Sequence, residues 1–162
     1  MKNLALAIAM PILLAACANG ATTVLQPAES SFKASTINVA AVGDTVGVDP
    51  EISNYYGEKL NEYLFADETF TTGNDITVSY RFIQFEEGNR AIRYLVGFGA
   101  GKGSLTIEST FTDATGNELA KIQSEGEISV GVLGGSFKEA VAKAAKETSD
   151  FALANCGKIS GS

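Results

Sequence analysis

The sequence contains no histidine and only two cysteines, Cys17 and Cys156. Histidine is the commonest general base and metal ligand, and it is the side chain that titrates nearest to neutral pH. Its absence argues against most acid–base and metal-dependent catalysis, and two cysteines are too few for a disulfide framework. We therefore expect no catalytic residues, no bound metal and no cofactor.

Clusters of basic residues are also missing, and the chain carries a formal net charge of −7. Nucleic acids and anionic lipid surfaces are bound through groups of Lys and Arg side chains. The charge therefore argues against a nucleic-acid partner and against electrostatic binding to a membrane. Net charge keeps proteins soluble, and this is a simpler reason for an acidic surface than the binding of a particular partner.

The first residues have the pattern of an export signal. Lys2 supplies a positive start, and the stretch from Leu4 to Ala16 contains no charged or polar side chain. A helix needs roughly 20 apolar residues to cross a bilayer, so this stretch is too short, and Pro11 would disturb a helix there. A positive start followed by a short apolar core predicts a secretory signal over residues 1–16.

Residues Leu14-Ala15-Ala16-Cys17 resemble the lipobox of bacterial lipoprotein precursors, in which an aliphatic and two small residues precede an obligatory cysteine. The resemblance implies cleavage between Ala16 and Cys17 and attachment of a diacylglyceryl group to the Cys17 thiol, the most nucleophilic side chain available. Stable anchoring needs more than one acyl chain, and this modification supplies them. The alternative is an ordinary secretory signal that happens to end near a cysteine.

The residue after the cysteine indicates whether a lipoprotein stays in the inner membrane or moves to the outer membrane. It is Ala18, whereas an aspartate there commonly retains lipoproteins in the inner membrane. In a Gram-negative cell this predicts the periplasmic face of the outer membrane. Small and polar residues predict a lipidated tether over 17–35, before a single domain over 36–156 and a tail over 157–162.

Two amphipathic helices are predicted. The first begins at Asp49-Pro50, because Asp49 can accept hydrogen bonds from free backbone N–H groups and proline fits the first turn. The second begins at Ser136, which forms a capping-box pattern with Glu139. The tyrosines on the first helix could form a stripe that binds a partner, but we expect them to pack in the core. A tyrosine can bury its ring while its hydroxyl stays in water. The two apolar faces consist of Ile52, Tyr55, Tyr56, Leu60, Tyr63 and Leu64, and of Phe137, Val141, Ala144, Thr148 and Phe151.

Strands are predicted from a short apolar run and from period-two alternation. The element order is β-α-β-β-β-β-α, which predicts an α+β domain with a mainly antiparallel sheet and helices on one face. The strands cover Thr36 to Val42, Ile76 to Phe82, Ala91 to Val96, Leu105 to Phe111 and Glu118 to Ile128, with turns at 87–90 and 113–117.

Gly97, Gly99, Gly101 and Gly103 alternate along a stretch that at first resembles a phosphate-binding loop. A Walker loop needs four residues between its first glycine and Gly-Lys-Ser/Thr, but Val96 occupies the first position and Gly103 follows the lysine. Nucleotide binding is therefore not expected. In an extended strand the four glycines share one face that admits another backbone closely, which favours structural packing. The alternatives are a mobile loop and a contact strip for a partner.

The sequence from Arg90 to Cys156 resembles a family of small bacterial proteins, many of them lipoproteins, known as domain of unknown function 4410. The resemblance rests on the Gly97–Gly103 run, the turn from Asp113 to Gly116 and the Gly131–Gly135 segment before an Ala-rich helix. This family has no established activity, so the resemblance implies no catalytic residue. The architecture is also similar to that of envelope-assembly lipoproteins, including the curli-export type, which is a likeness of fold and not of function.

Together these observations predict a non-catalytic cell-envelope lipoprotein that binds another envelope component or supports its assembly or transport. One alternative is an unrecognised periplasmic hydrolase, although Asp113 and Glu118 flank a turn, where carboxylates usually do no more than solvate it. Another is an oligomeric component of an envelope export system, so the partner is an envelope protein or a second copy of the chain. Cys156 is expected to carry a free or intermolecular thiol at the end of the last helix, where the chain should be exposed. The alternative, which is favoured, is a partly buried cysteine of no function.

Overall fold

The computed structural model describes residues 22–27, 32–43, 45–86, 103–127 and 137–157. The predicted signal, the turn at 87–90 and the strand at 91–96 lie outside these residues. The described elements are β1 (Thr22–Gln26), β2 (Phe32–Lys33), β3 (Thr36–Ala41), α1 (Pro50–Phe65), β4 (Thr71–Thr72), β5 (Ile76–Glu86), β6 (Ser104–Asp113), β7 (Glu118–Glu127), α2 (Phe137–Asn155) and β8 (Cys156–Gly157).

Six of these strands form one sheet in the order β1-β7-β6-β5-β3-β4. The pairs β1–β7, β7–β6 and β6–β5 are antiparallel, whereas β3 runs parallel to both β5 and β4. Parallel neighbours need a crossover connection, and α1 supplies it between β3 and β5. A second, two-stranded sheet pairs β2 with β8. The predicted α+β class with a mainly antiparallel sheet is confirmed.

The three long strands bury alternate residues on one face of the sheet, as the period-two pattern predicts. Both helices cover that face, because Tyr56 of α1 contacts Ser109 of β6, and Thr148 of α2 contacts Ser124 of β7. The prediction of helices on one face is therefore confirmed. The buried strand residues are Ile76, Val78, Tyr80, Phe82, Leu105, Ile107, Ser109, Phe111, Ala120, Ile122 and Ser124.

Helix α1 begins where its sequence predicts. The Asp49 carboxylate accepts a hydrogen bond from the Glu51 backbone N–H at 2.8 Å, and Pro50 is the first helical residue. This cap satisfies one of the free donors of the first turn. Three residues of the predicted apolar face, Tyr56, Leu60 and Leu64, are fully buried, and the other three are half-buried.

Helix α2 lies unusually close to β7 at Gly126. A Cβ atom placed on Gly126 would be 2.7 Å from the Ala140 carbonyl oxygen and 3.1 Å from Leu105 Cγ. Only a residue without a side chain lets the helix backbone approach the strand this closely. Small residues on the helix serve the same contact, since Ala140, Ala144 and other alanines of α2 are buried.

The structure corrects part of the predicted tether. Residues 22–26 form β1, which pairs with β7 so that Thr23 lies opposite Gln123 and Val24 opposite Ile122. Ala34 is fully buried, so the domain begins before Thr36. Small and polar residues show no period-two pattern, so the sequence alone does not predict a strand here. Without β1, β7 would have unpaired backbone groups on its outer side, and the β-prone Thr and Val residues of β1 pair with them.

The structure shows Cys156 buried, which agrees with the partly buried cysteine and corrects the expectation of an exposed thiol. This residue is only 2% exposed and lies in β8, opposite Phe32 of β2. The helix ends one residue earlier, and the pairing of β2 with β8 places Phe32 beside Cys156. The thiol is free, and burial raises the pKa of Cys156 to about 12.

We expect Gly126→Ala to destabilise the domain, because the new methyl group would overlap the α2 backbone. Overpacking of this kind costs about 1–3 kcal/mol of unfolding free energy. Denaturant unfolding of the two proteins measures it. Gly43→Ala is the matched control, because a Cβ atom at Gly43 meets nothing within 4 Å. Equal losses of stability in the two variants would contradict the proposed contact.

We expect native Cys156 to resist alkylation, and unfolding in denaturant to expose it to rapid labelling. The pKa of the Cys156 thiol is about 12 in the folded protein and about 8.5 in the unfolded chain. The contribution of the buried thiol to folding stability is therefore fully present below about pH 8.5. It is lost as the pH rises from there toward about 12, because the unfolded chain releases its thiol proton first. Mass spectrometry of iodoacetamide-treated protein, with and without denaturant, measures the difference. Labelling at the same rate in both conditions would show that the thiol is exposed.

Candidate functional site

Of the residues predicted to form sites, the structure describes only Gly103, which is buried directly before β6. Ala16, Cys17, Gly97, Gly99 and Gly101 lie outside the described residues. Cleavage and lipidation at Cys17, and the packing or partner role of the glycine strip, therefore stay predictions. In the described part of the chain no helix is long and apolar enough to cross a membrane.

Four buried hydroxyl groups meet between the helices and the sheet, and we call them the hydroxyl cluster. The Tyr56 hydroxyl lies 2.8 Å from Thr148 Oγ1 and 3.4 Å from Ser109 Oγ. Thr148 Oγ1 also lies 3.0 Å from Ser124 Oγ and donates to the Ala144 carbonyl at 3.2 Å. The cluster thus joins α1, α2, β6 and β7 through one continuous set of hydrogen bonds.

The hydroxyl cluster is structural and not a nucleophilic centre. All four residues have exposed fractions of zero, so a substrate has no access to them. Burial raises the pKa of Tyr56 to about 12, although the hydrogen bonds with Ser109 and Thr148 oppose this shift. The phenol therefore stays protonated near neutral pH. Its position differs from expectation, because the sequence predicts a wet tyrosine hydroxyl at the edge of the core.

A signal for this cluster is visible in the sequence. Ser109, Ser124 and Thr148 each occupy a core-facing position in an otherwise apolar pattern. Buried hydroxyls need hydrogen-bond partners, so three of them on separate elements indicate that they meet. The pattern does not show which tyrosine joins them.

The two carboxylates near the hairpin turn have structural roles. Asp113 accepts hydrogen bonds from the backbone and side chain of Thr115 at 2.8 and 2.7 Å, and from both nitrogens of Asn117 at 2.9 Å. These donors hold the pKa of the Asp113 carboxyl well below its usual range. Glu118 pairs with Lys121 at 3.1 Å. The Asp113 carboxylate therefore stays ionised at neutral pH.

A shallow depression of about 170 Å³ lies where β3 ends and α1 begins. Ligand sites for small organic molecules usually measure about 300–1,000 Å³, so this one is small. Its cation, Arg81, already donates to Glu108, with Nε 3.0 Å from Oε1. No carboxylate, thiol or histidine is among its described lining residues, which are Ala41, Val42, Gly43, Val48, Pro50, Ser53, Asn54, Arg81 and Phe82.

Metal coordination has no support in the described residues either. They contain no group of three or more His, Cys, Asp or Glu side chains arranged to hold an ion. The described surface also exposes apolar side chains. Its most accessible apolar positions are Val24 and Leu25 on β1, which are 46% and 47% exposed.

We expect Tyr56→Phe to lower stability, because the change keeps the ring but leaves the Thr148 and Ser109 hydroxyls short of a partner. A buried polar group that loses its hydrogen bond costs about 1–3 kcal/mol. Urea unfolding measures this loss. Tyr63→Phe removes a hydroxyl from the same helix at a half-buried position and is the control, expected to change stability by less. A neutral Tyr56→Phe would show that the cluster contributes no net stability.

Solved structures share this fold. A PelC dodecamer from Paraburkholderia phytofirmans aligns with a TM-score of 0.56 at 11% identity, covering 80% of this chain and 96% of that chain. A dodecamer of a PelC variant from the same organism gives 0.53 at 12% identity, with coverages of 80% and 95%. At such low identity the likeness shows the fold alone.

A minor lipoprotein from Acinetobacter baumannii aligns more weakly, with a TM-score of 0.42 at 11% identity over 72% of this chain and 93% of that chain. No curated protein matches the chain.

A family of protein sequences matches directly. The domain of unknown function DUF4410 matches residues 58–131, from the middle of α1 to just beyond β7. The match begins before Arg90, where the resemblance was expected to start, and it does not include α2. The predicted resemblance is confirmed: residues 58–131 of this chain match the DUF4410 family.

Proposed function

We propose that this chain is a non-catalytic lipoprotein of the cell envelope, anchored through Cys17, that self-associates and supports the assembly or transport of another envelope component. The observation that carries the proposal is the Leu14-Ala15-Ala16-Cys17 motif directly ahead of a folded domain. Ala18 favours the periplasmic face of the outer membrane over the inner membrane.

The position of β1 makes the anchor short. Thr22, the first residue of β1, comes five residues after Cys17 in the chain. Five residues span at most about 17 Å when fully extended. A lipid on Cys17 would therefore hold the domain next to the bilayer, with the β1 edge of the sheet nearest to the attachment point.

The proposed self-association is supported by the solved structures that share the fold. Both PelC structures are dodecamers, and this chain covers nearly their whole length. Identity of 11–12% does not transfer an oligomeric state by itself. The exposed, uncharged strand β1 gives independent support, because such edges pair readily with other strands.

The non-catalytic part of the proposal is supported by how the reactive groups of the described residues are used. The hydroxyl cluster is sealed in the core, Asp113 holds a turn and the Cys156 thiol is buried. No observation favours the alternative of a hydrolase.

We expect Cys17→Ser to abolish the anchor, because a hydroxyl cannot accept the thioether-linked lipid. Uncut precursor or protein released from membranes should replace the membrane-bound form in fractionated cells expressing the full chain. Cys156→Ser is the control: it exchanges the other cysteine and should leave fractionation unchanged. A processed, membrane-bound Cys17→Ser protein would overturn the proposed anchor.

Self-association is tested on the same membranes. Native mass spectrometry of the detergent-extracted, full-length protein should show a defined homo-oligomer. A monomer at micromolar concentration would contradict this part of the proposal and leave the anchor unaffected.

A further inference from the structure

The outer side of β1 is an open edge of the six-stranded sheet. In the strand order β1 is terminal, with β7 on one side and no described strand on the other. Half of the N–H and C=O groups of a terminal strand therefore point away from the sheet and can pair with another strand. All but one of its five residues are exposed.

Charge and proline, two features that usually block an open edge, are missing from β1. Its sequence, Thr-Thr-Val-Leu-Gln, contains no charge and no proline, and it exposes Val24 and Leu25 side by side. A register irregularity lies between Val24 and Gln26, but the pairing is regular from Thr22 to Val24. The opposite edge is protected by its shortness, because β4 has only two residues.

We infer that β1 is the surface on which a second copy of this chain docks, by antiparallel pairing of β1 with β1. The inference rests on the proposed self-association and names its surface. Two copies related by a two-fold axis present the same patch to each other, and antiparallel strands satisfy that symmetry. Pairing centred on Val24 would place the two Val24 residues opposite each other and continue one sheet through both copies.

Charge favours a second copy as the occupant. The chain carries a net charge of −7, so two copies repel each other across most of their surfaces. The five residues of β1 contribute no charge of their own to such a contact, although Thr22 donates a hydrogen bond to Glu147 at 3.2 Å. A basic partner would instead be expected to select an acidic surface.

The anchor favours the same occupant. Cys17 lies five residues before β1, so the lipid would bring the β1 edges of neighbouring copies to the same membrane. Confinement of this kind raises the effective concentration of one edge for another.

Cysteine cross-linking tests the pairing in the full-length, membrane-bound protein. Val24→Cys should form a disulfide-linked dimer on oxidation, because Cα atoms of opposing antiparallel residues are about 4.5–5.5 Å apart. Thr71→Cys, on the opposite edge, is the matched control and should stay monomeric on non-reducing gels. The native Cys156 is buried and should not compete.

A charge at the same position tests whether the edge is required. Val24→Lys should weaken association roughly tenfold or more, because two lysines would face each other across the pairing. Thr71→Lys introduces the same charge on the other edge and should leave the oligomer intact. The melting temperature of each variant reports whether the fold survives, and the cross-linking result stands independently if Val24→Lys does not fold.

The outcomes separate the two proposals. A wild-type oligomer together with a Val24→Cys dimer and a disrupted Val24→Lys oligomer supports docking through β1. A wild-type oligomer that persists in folded Val24→Lys, or that gives no Val24→Cys dimer, overturns docking through β1 while self-association stands. A monomeric wild-type protein contradicts both.

Discussion

The hydroxyl of Tyr56 is the point where the two helices and the central strands of this domain are joined. It lies 2.8 Å from Thr148 Oγ1, which in turn lies 3.0 Å from Ser124 Oγ. Each of these groups would be costly to bury alone, so each needs the others in place. The cluster therefore fixes how α1 and α2 sit relative to β6 and β7, which apolar contacts alone would specify less sharply.

Because both helices pack on one face of the sheet, the surface that we propose for recognition lies at an edge of the sheet. Gly126 lets α2 lie close against β7, and both helices occupy one face of the sheet. Strand β1 extends the sheet beyond β7 and carries the exposed Val24 and Leu25. A lipid on Cys17 would be attached close to this edge, so anchoring and association would act on one side of the molecule. The proposed role in the envelope rests on the Leu14-Ala15-Ala16-Cys17 motif ahead of this arrangement.

Much of the fold could be predicted from the sequence because the signals are local. The cap at Asp49, the alternation from Ile76 to Phe82 and the Asp113 turn each depend on residues within a few positions of one another. Only part of the candidate site could be predicted from such local patterns. The lipobox is a contiguous motif and can be recognised from four residues, whereas the use of the exposed β1 edge depends on where that strand lies in the sheet.

By itself, then, the sequence determined the order of the main elements, the core-facing side of each and the resemblance to the DUF4410 family. Only the tertiary structure decided that Thr22–Gln26 joins β7, that Cys156 is buried beneath the N-terminal segment and that the Tyr56 hydroxyl meets Thr148. Each of these depends on segments far apart in the chain. These segments pair because strand edges and buried hydroxyl groups need hydrogen-bond partners. Those unpaired groups exist only once the sheet and the helices have come together.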